Sequence, residues 1–438
     1  SPTHRVSHVV IAAAVALAAG MSPRAAAEIA PPEPLAAAGP PAAAAAGLGH
    51  VTAAWGDADG GTLSIVATAS RRYSGTTIPA PPRGWNLGRR AAVEAEVVNR
   101  GAAAVDVQLW VAADRGWEPV GGFATLGPGE RRTLSCRLRE TFPDGSPKLD
   151  PARIVGAEVI LAGAPAGAAV DVSGLRATGE APPFVRPAGR IEMPAIEDGP
   201  PAAGRRVRHR LPIDEGTTIH SLLFLPEDWV PGRARPWPVV VELPGNVFFV
   251  PGCHSTGLPD QCAIGYGMTR GRGAIWVSVP FIDRDTGAIA VDGWGNPDDT
   301  ADYVCRIVED VCGRFGGDRG NVVLTGFSRG AIACGFIGLR DDRVAGIWKA
   351  FHCCQHFDGD GWNGASLAGA LERARRFRGV AVFHTDNAAA AVRPVNEALG
   401  VPATIVPSGL GAHATAMFLD DRDSTRRLRE WFADLVAD

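Results

Sequence analysis

Residues 321–335, NVVLTGFSRGAIACG, decide the fold of the second half of this chain. Asn321 to Thr325 is a short apolar run of the kind that forms a buried strand. The apolar segment after Gly330 reads as a helix. Between them stands Gly326-Phe327-Ser328-Arg329-Gly330, a G-x-S-x-G pentapeptide. A strand that enters a helix through this pentapeptide must turn sharply. The turn pushes the Ser328 hydroxyl out at the carboxyl end of the sheet. Side chains at 326 and 330 would collide with the neighbouring strand and helix, so glycine is needed at both. The helix N-terminus below Ser328 adds a field that favours a developing oxyanion. Ser328 is the candidate nucleophile.

The same rhythm extends outward from the pentapeptide. HSLLFLP (220–226), WPVVVELPGN (237–246), GAIWVSVPFI (273–282), VAGIWKAFHCC (344–354), GVAVFHTD (379–386) and PATIVPSG (402–409) read as strands. Several are apolar throughout, as in a parallel sheet covered on both faces. Helical patterns fall at 298–315, from Arg329 onward, and at 365–377, 388–399 and 418–436. Residues 205–438 are therefore expected to be an α/β domain, a mostly parallel sheet with helices on both faces.

A serine nucleophile needs a base, and the base needs an orienting acid. In this arrangement the chain order is Ser, acid, His. Only His352, His356, His384 and His413 follow Ser328. His413 lies in a loop between the last strand and the last helix, where the base belongs. Asp386 ends the preceding strand, where the acid belongs; Asp358 and Asp360 are the alternatives. The oxyanion hole is expected from the N–H of Arg329 and an N–H near Asn246 or Val247. Phe248, Phe249, Trp294 and Trp362 are candidates for lining a substrate cleft. HCCQH (352–356) matches no usual zinc spacing, so neither a metal nor an organic cofactor is expected.

Residues 50–180 read differently. Short alternating runs recur at 63–69, 91–99, 105–112, 132–138, 153–161 and 169–177, separated by turns such as Gly127-Pro128-Gly129. This is the pattern of a β-sandwich. Trp55, Trp85, Trp110 and Trp117 are either core residues or candidates for a sugar-stacking platform. Residues 181–204, rich in Pro and Ala, read as a second linker or a wrapping arm.

The N-terminus reads as a targeting segment. Arg5, the apolar run from Val9 to Ala19 and Ala25-Ala26-Ala27 fit a cleavable export signal over 1–27. A Pro/Ala linker follows over 28–49. Export would place the protein outside the cell or in the periplasm, with no membrane insertion after cleavage. It would also make a Cys253–Cys262 disulfide chemically accessible.

Composition sets the outer limits. At about 150 residues per domain, 438 residues suggest two or three domains. With 46% hydrophobic and 21% charged residues, wholesale disorder is excluded. A formal net charge of −4 leaves no basic excess for nucleic acid.

Residues 205–438 resemble the α/β-hydrolase superfamily, especially secreted esterases of the feruloyl/acetyl-xylan esterase and polyhydroxybutyrate depolymerase type. The resemblance is carried by VVVELPGN (239–246), by 298–326 leading into GFSRG, by the strand end HTD (384–386) and by GAH (411–413). It implies Ser328 as nucleophile, Asp386 as acid and His413 as base. Leu243-Pro244-Gly245-Asn246 stands where that family usually has a His-Gly pair. The strand rhythm of 50–180 resembles the jelly-roll accessory domains of secreted polysaccharide-active enzymes. The expected function is a secreted, monomeric serine esterase acting on a carboxylic ester of a polysaccharide or polymer. The alternatives are a serine peptidase on the same fold, or an extracellular carbohydrate-binding protein with an inert hydrolase domain.

Overall fold

The computed structural model describes residues 31–37, 41–43, 48–56, 61–114 and 116–437. The expected export signal lies outside them. Among the described residues, no helix is long and apolar enough to cross a membrane.

Residues 51–180 form nine strands: β1 (Val51–Trp55), β2 (Thr62–Ala67), β3 (Tyr73–Pro79), β4 (Arg90–Asn99), β5 (Val105–Ala113), β6 (Val120–Leu126), β7 (Arg131–Arg137), β8 (Ile154–Ala162) and β9 (Ala169–Glu180). They pair antiparallel in two sheets, in the orders β1-β2-β9-β4-β7 and β3-β8-β5-β6. Alternate residues point inward, which is what period-two patterning demands. Leu63 and Ile65 of β2, Val93, Ala95 and Val97 of β4, and Val107, Leu109 and Val111 of β5 share one buried core. Trp85 and Trp117 belong to that core, and the half-buried Trp55 packs against it. Trp110 is buried on the opposite face of β5. These tryptophans present no flat exposed row, so they are core residues and the candidate stacking platform is not formed.

The second half contains β10 (Arg206–His209), β11 (Ser221–Phe224), β12 (Trp237–Leu243), a hairpin of β13 (Val247–Val250) and β14 (Cys253–Thr256), then β15 (Ile275–Ser278), β16 (Gly317–Phe327), β17 (Ala350–Cys354), β18 (Ala381–Thr385) and β19 (Ala403–Val406). The main sheet runs β10-β11-β15-β12-β16-β17-β18-β19, with Ile196–Glu197 at its edge beside β10. β11 is antiparallel to both neighbours, and the sheet is parallel from β15 onward. This is the α/β domain with a mostly parallel sheet expected of residues 205–438. The helices are α1 (Ile264–Thr269), α2 (Pro297–Phe315), α3 (Arg329–Phe336), α4 (Asp342–Ala345), α5 (Leu367–Ala374), α6 (Ala389–Leu399) and α7 (Asp423–Ala437). Neighbouring residues of a central strand serve opposite faces. Val239 and Val241 of β12 pack under α2 and α3, while Val240 packs with α1 and α7. Covering both faces is why these strands read as unbroken apolar runs.

Of the two readings of 181–204, the structure shows the packed arm. Met193 is buried, the Ile191 N–H donates to the Leu419 carbonyl at 2.9 Å, and Arg190 lies 3.7 Å from the centre of the Trp117 ring. The sandwich also packs directly on the second half. Tyr73, Trp110 and Ile160 bury Val247 and Phe249 of the β13–β14 hairpin. Gln108 Nε2 donates to the Phe249 carbonyl at 3.0 Å, and His254 Nε2 meets Glu158 at 2.7 Å.

The Cys253–Cys262 disulfide is not present: all eight cysteines are free thiols. The two sulfurs occupy different surroundings. Cys253 faces Glu118 and Lys148, whereas Cys262 is enclosed with Glu242, Arg206 and Ser278. Burial raises both thiols, Cys253 to about 12, which keeps them unreactive. A reductant should therefore leave the melting temperature of the purified protein unchanged within about 1 °C. A fall of several degrees would reveal a stabilising disulfide.

Two buried histidines give the fold an acid limit. His352 bridges Thr325 and Thr385 at 2.7 and 2.9 Å, and His384 bridges Asn396 and Asn387 at 3.0 and 3.1 Å. Burial lowers His352 to about 3 and His384 to about 4. An unfolded histidine titrates near 6.5, so below that pH the unfolded chain takes protons that the native rings refuse. Stability should fall from about pH 6.5 towards pH 4, by roughly 3 kcal/mol or more per ring once both forms have titrated. Urea midpoints at pH 7.0, 5.5 and 4.5 test this, with His352→Gln expected to flatten the slope. A slope unchanged in that variant would refute the assignment.

Candidate active site

Ser328 sits between β16 and α3 at φ 54° and ψ −119°. A non-glycine residue at positive φ is strained and is held only by its surroundings. Here the Ser328 N–H donates to the Cys354 carbonyl of β17 at 3.0 Å, and its carbonyl accepts from Ala331 and Ile332. A Cβ on Gly326 would run into the backbone of Gly330, and one on Gly330 would run into the Leu243 carbonyl. The two glycines thus allow the crossing that exposes Ser328.

Ser328 and His413 line one cavity of about 190 Å³, together with Phe248, Trp362, His356 and Arg72 of the sandwich. His413 packs its ring against Phe327 at 4.5 Å. Burial, with a smaller effect from His356, lowers its pKa to about 4. Its imidazole is therefore neutral at neutral pH, as a base must be. Among the described residues, neither the Ser328 hydroxyl nor the His413 ring makes a hydrogen bond.

Asp386, at φ 60°, follows β18 as expected. Its carboxylate accepts from the Ser408 N–H at 2.5 Å, the Ser408 hydroxyl at 2.6 Å and Gln355 Nε2 at 3.3 Å. Gln355 also donates to the Ala412 carbonyl at 2.7 Å, linking Asp386 to the residue before His413. The carboxylate is thus in the neighbourhood of the base but bonded to other donors. Of the alternative acids, Asp358 is buried and paired with Arg373 at 2.8 Å. Asp360 instead accepts from His356 Nδ1 at 2.7 Å and from the Trp362 N–H at 2.9 Å.

The oxyanion candidates separate. Arg329 is the first residue of α3, where the backbone N–H has no intrahelical partner. The Asn246 N–H has no hydrogen bond among the described residues. The Val247 N–H is excluded, because it donates to the Val291 carbonyl at 2.9 Å. The Asn246 side chain holds its loop, bonding the Gly293 N–H and Asp292 at 2.9 and 2.7 Å. Of the expected cleft residues, Phe248 and Trp362 line the cavity. Trp294 does not. It is buried, stacks on Phe336 at 4.3 Å and donates to the Asn363 carbonyl at 2.9 Å.

Three features escaped the sequence reading. The Arg329 side chain is buried, and it donates to four carbonyls: Ala290 at 3.0 Å, Gly293 at 2.8 Å, Gly245 at 2.9 Å and Gly257 at 3.1 Å. Burial lowers its pKa to about 9, so it stays protonated at neutral pH. Glu242 at the end of β12 is also buried. It accepts the N–H groups of Ala263, Ile264 and Gly265 and the Trp276 indole, which fixes the start of α1. The third is a cavity of about 460 Å³ between the sandwich and the second half. It shares Phe327, Ser255, Cys253 and His413 with the Ser328 cavity. Trp117, Glu118 and Glu158 of the sandwich form one of its walls. Burial raises the Glu118 carboxyl to about 7.

No family model matches the chain, and no curated protein does. Among solved structures, a variant of the AtxE2 isopeptidase with astexin3-dC4 bound is 16% identical over 89% of this chain and 55% of that one, with a TM-score of 0.43. A puromycin hydrolase mutant complexed with PGG is 14% identical over 88% of this chain and 61% of that one, at 0.40. A fungal esterase from Rhizomucor miehei is 13% identical over 53% of this chain and 82% of that one, at 0.35. The chain spans about half the length of the isopeptidase.

Proposed function

We propose that this protein is a secreted serine hydrolase that cleaves carboxylic esters, borne on a polysaccharide or another polymer, through an acyl-enzyme on Ser328. One observation carries the reading. Ser328 is held at positive φ over the start of α3 and opens into a cavity with a neutral imidazole. As Oγ attacks the carbonyl carbon, its proton passes to His413. The oxyanion is received by the N–H groups of Arg329 and Asn246. The proton then goes to the leaving alkoxide, and water repeats the sequence to release the acid. Asp386 is the acid of this scheme and reaches the His413 loop through Gln355. The two sheets of the N-terminal half support a jelly-roll reading, and Arg72 of that half lines the Ser328 cavity. Hydrolysis of p-nitrophenyl acetate and butyrate, and acetate release from acetylated xylan, test the reading. No turnover of any ester would reject it.

A peptidase is the second reading, favoured by the carboxylate-lined cavity beside Ser328. Glu118 and Glu158 would suit an amine on the substrate. Cleavage of p-nitroanilides bearing a free amine, faster than of the matched esters, would decide for it. An inert hydrolase domain with a binding role would instead fail to react with a fluorophosphonate.

A further inference from the structure

The carboxylate–imidazole pair that is formed on the Ser328 cavity is His356 with Asp360, not His413 with Asp386. His356 Nδ1 is 2.7 Å from Asp360, and its backbone carbonyl is held by Asn387 Nδ2 at 3.1 Å. Asp360 is fixed in turn by the Trp362 N–H at 2.9 Å. With Nδ1 on the carboxylate, Nε2 is the nitrogen left to act as acceptor. The His356 ring lies edge-on to that of His413, with centroids 5.5 Å apart, and both line the cavity that holds Ser328. The other charged or titratable groups on that cavity are Arg72, Arg329 and Cys253.

We propose that His356, oriented by Asp360, is a second general base of this site. The inference rests on Ser328 being the nucleophile. In acylation, Nε2 of His356 takes the Oγ proton as the Oγ–carbon bond forms and the carbonyl electron pair moves onto oxygen. The carbon–alkoxide bond then breaks, and the imidazolium returns that proton to the leaving oxygen. In deacylation, the same nitrogen takes a proton from the attacking water and gives it back to Ser328. The second imidazole gives a proton route when His413 is absent. Its ring is bonded directly to a carboxylate, whereas Asp386 reaches the His413 loop only through Gln355.

The test uses the full chain and two readouts, fluorophosphonate labelling of Ser328 and p-nitrophenyl acetate turnover. His356→Ala is expected to slow both at least 10-fold, and Asp360→Asn to slow both to a smaller degree. Added imidazole is expected to restore turnover in His356→Ala, which loss of packing alone would not allow. His413→Ala is expected to keep activity above that of Ser328→Ala, and His413→Ala/His356→Ala to lose it. His356→Ala within twofold of the wild-type rates, or without imidazole rescue, overturns the proposal. So does His413→Ala being as inactive as Ser328→Ala. If the wild-type protein is neither labelled nor active, the reading of Ser328 as nucleophile fails, and this proposal fails with it.

Discussion

Ser328→Ala is expected to lower kcat for p-nitrophenyl acetate by roughly 10⁴- to 10⁶-fold, as loss of a serine nucleophile does elsewhere. The loss should fall on chemistry and not on folding. The Ser328 hydroxyl holds nothing in place, since the turn is fixed by the backbone bonds to Cys354, Ala331 and Ile332. Alanine keeps the Cβ and the strain at φ 54°, so the melting temperature should move by no more than about 1–2 °C. A residual rate within 10-fold of wild type would remove Ser328 from the mechanism. Asp386→Asn makes an informative contrast. Its carboxylate is bonded to Ser408 and Gln355 rather than to a ring. An asparagine oxygen can still accept from the Ser408 N–H. The loss should therefore be much smaller than for Ser328→Ala, because what is disturbed is the setting of the His413 loop.

How much of this was legible depended on whether a feature was local in the chain. The turn at Ser328 was legible because its cause lies within five residues: two glycines where no side chain fits, between a strand and a helix. The apolar runs of β12, β16 and β18 were legible because both sheet faces are covered. β3 and β6 were not. Gly75 on β3 has no room for a side chain against the paired strand β8, nor Gly122 on β6 against β7, so these strands lack the apolar alternation that marks β2 and β4. The direction of the tryptophans was not legible for a related reason. Residue type marks a large apolar ring but not the direction in which the strand presents it. The partners of the candidate acids were out of reach as well. Asp358 and Asp360 are two residues apart, yet one faces Arg373 of α5 and the other faces His356. Only the tertiary course of the loop after β17 separates them. Arg329 shows the limit most plainly. Position alone predicts its N–H as an oxyanion donor, but the four carbonyls that its side chain gathers come from loops 72 and 84 residues upstream, and from 36 and 39 residues upstream.

That guanidinium supports the second large effect. Arg329→Met keeps the length of the side chain and removes every donor. The carbonyls of Gly245, Gly257, Ala290 and Gly293 are then left without their charged partner, and each buried acceptor so stranded costs about 1–3 kcal/mol. Partial relaxation and water entry reduce the sum, so a loss of about 3–5 kcal/mol is expected. For a domain of this size that corresponds to a melting temperature lower by roughly 6–20 °C. The activity should fall further than the stability requires. Gly245 precedes Asn246, whose N–H is the proposed second oxyanion donor, and Gly293 follows Asp292, which the Asn246 side chain grips. Freeing this loop should cost on the order of 10²-fold in kcat at temperatures where the variant is still fully folded, comparable to losing one oxyanion donor. Arg329→Lys restores the charge but not the fork, and one ammonium with three hydrogens cannot serve four carbonyls in two directions. It should recover part of the stability and little of the rate. Thermal melts and kcat measured well below each variant's transition separate the two effects. If Arg329→Met keeps wild-type kcat while losing stability, the guanidinium braces the fold without setting the oxyanion loop. If it keeps both, the four carbonyl bonds contribute nothing that water cannot replace.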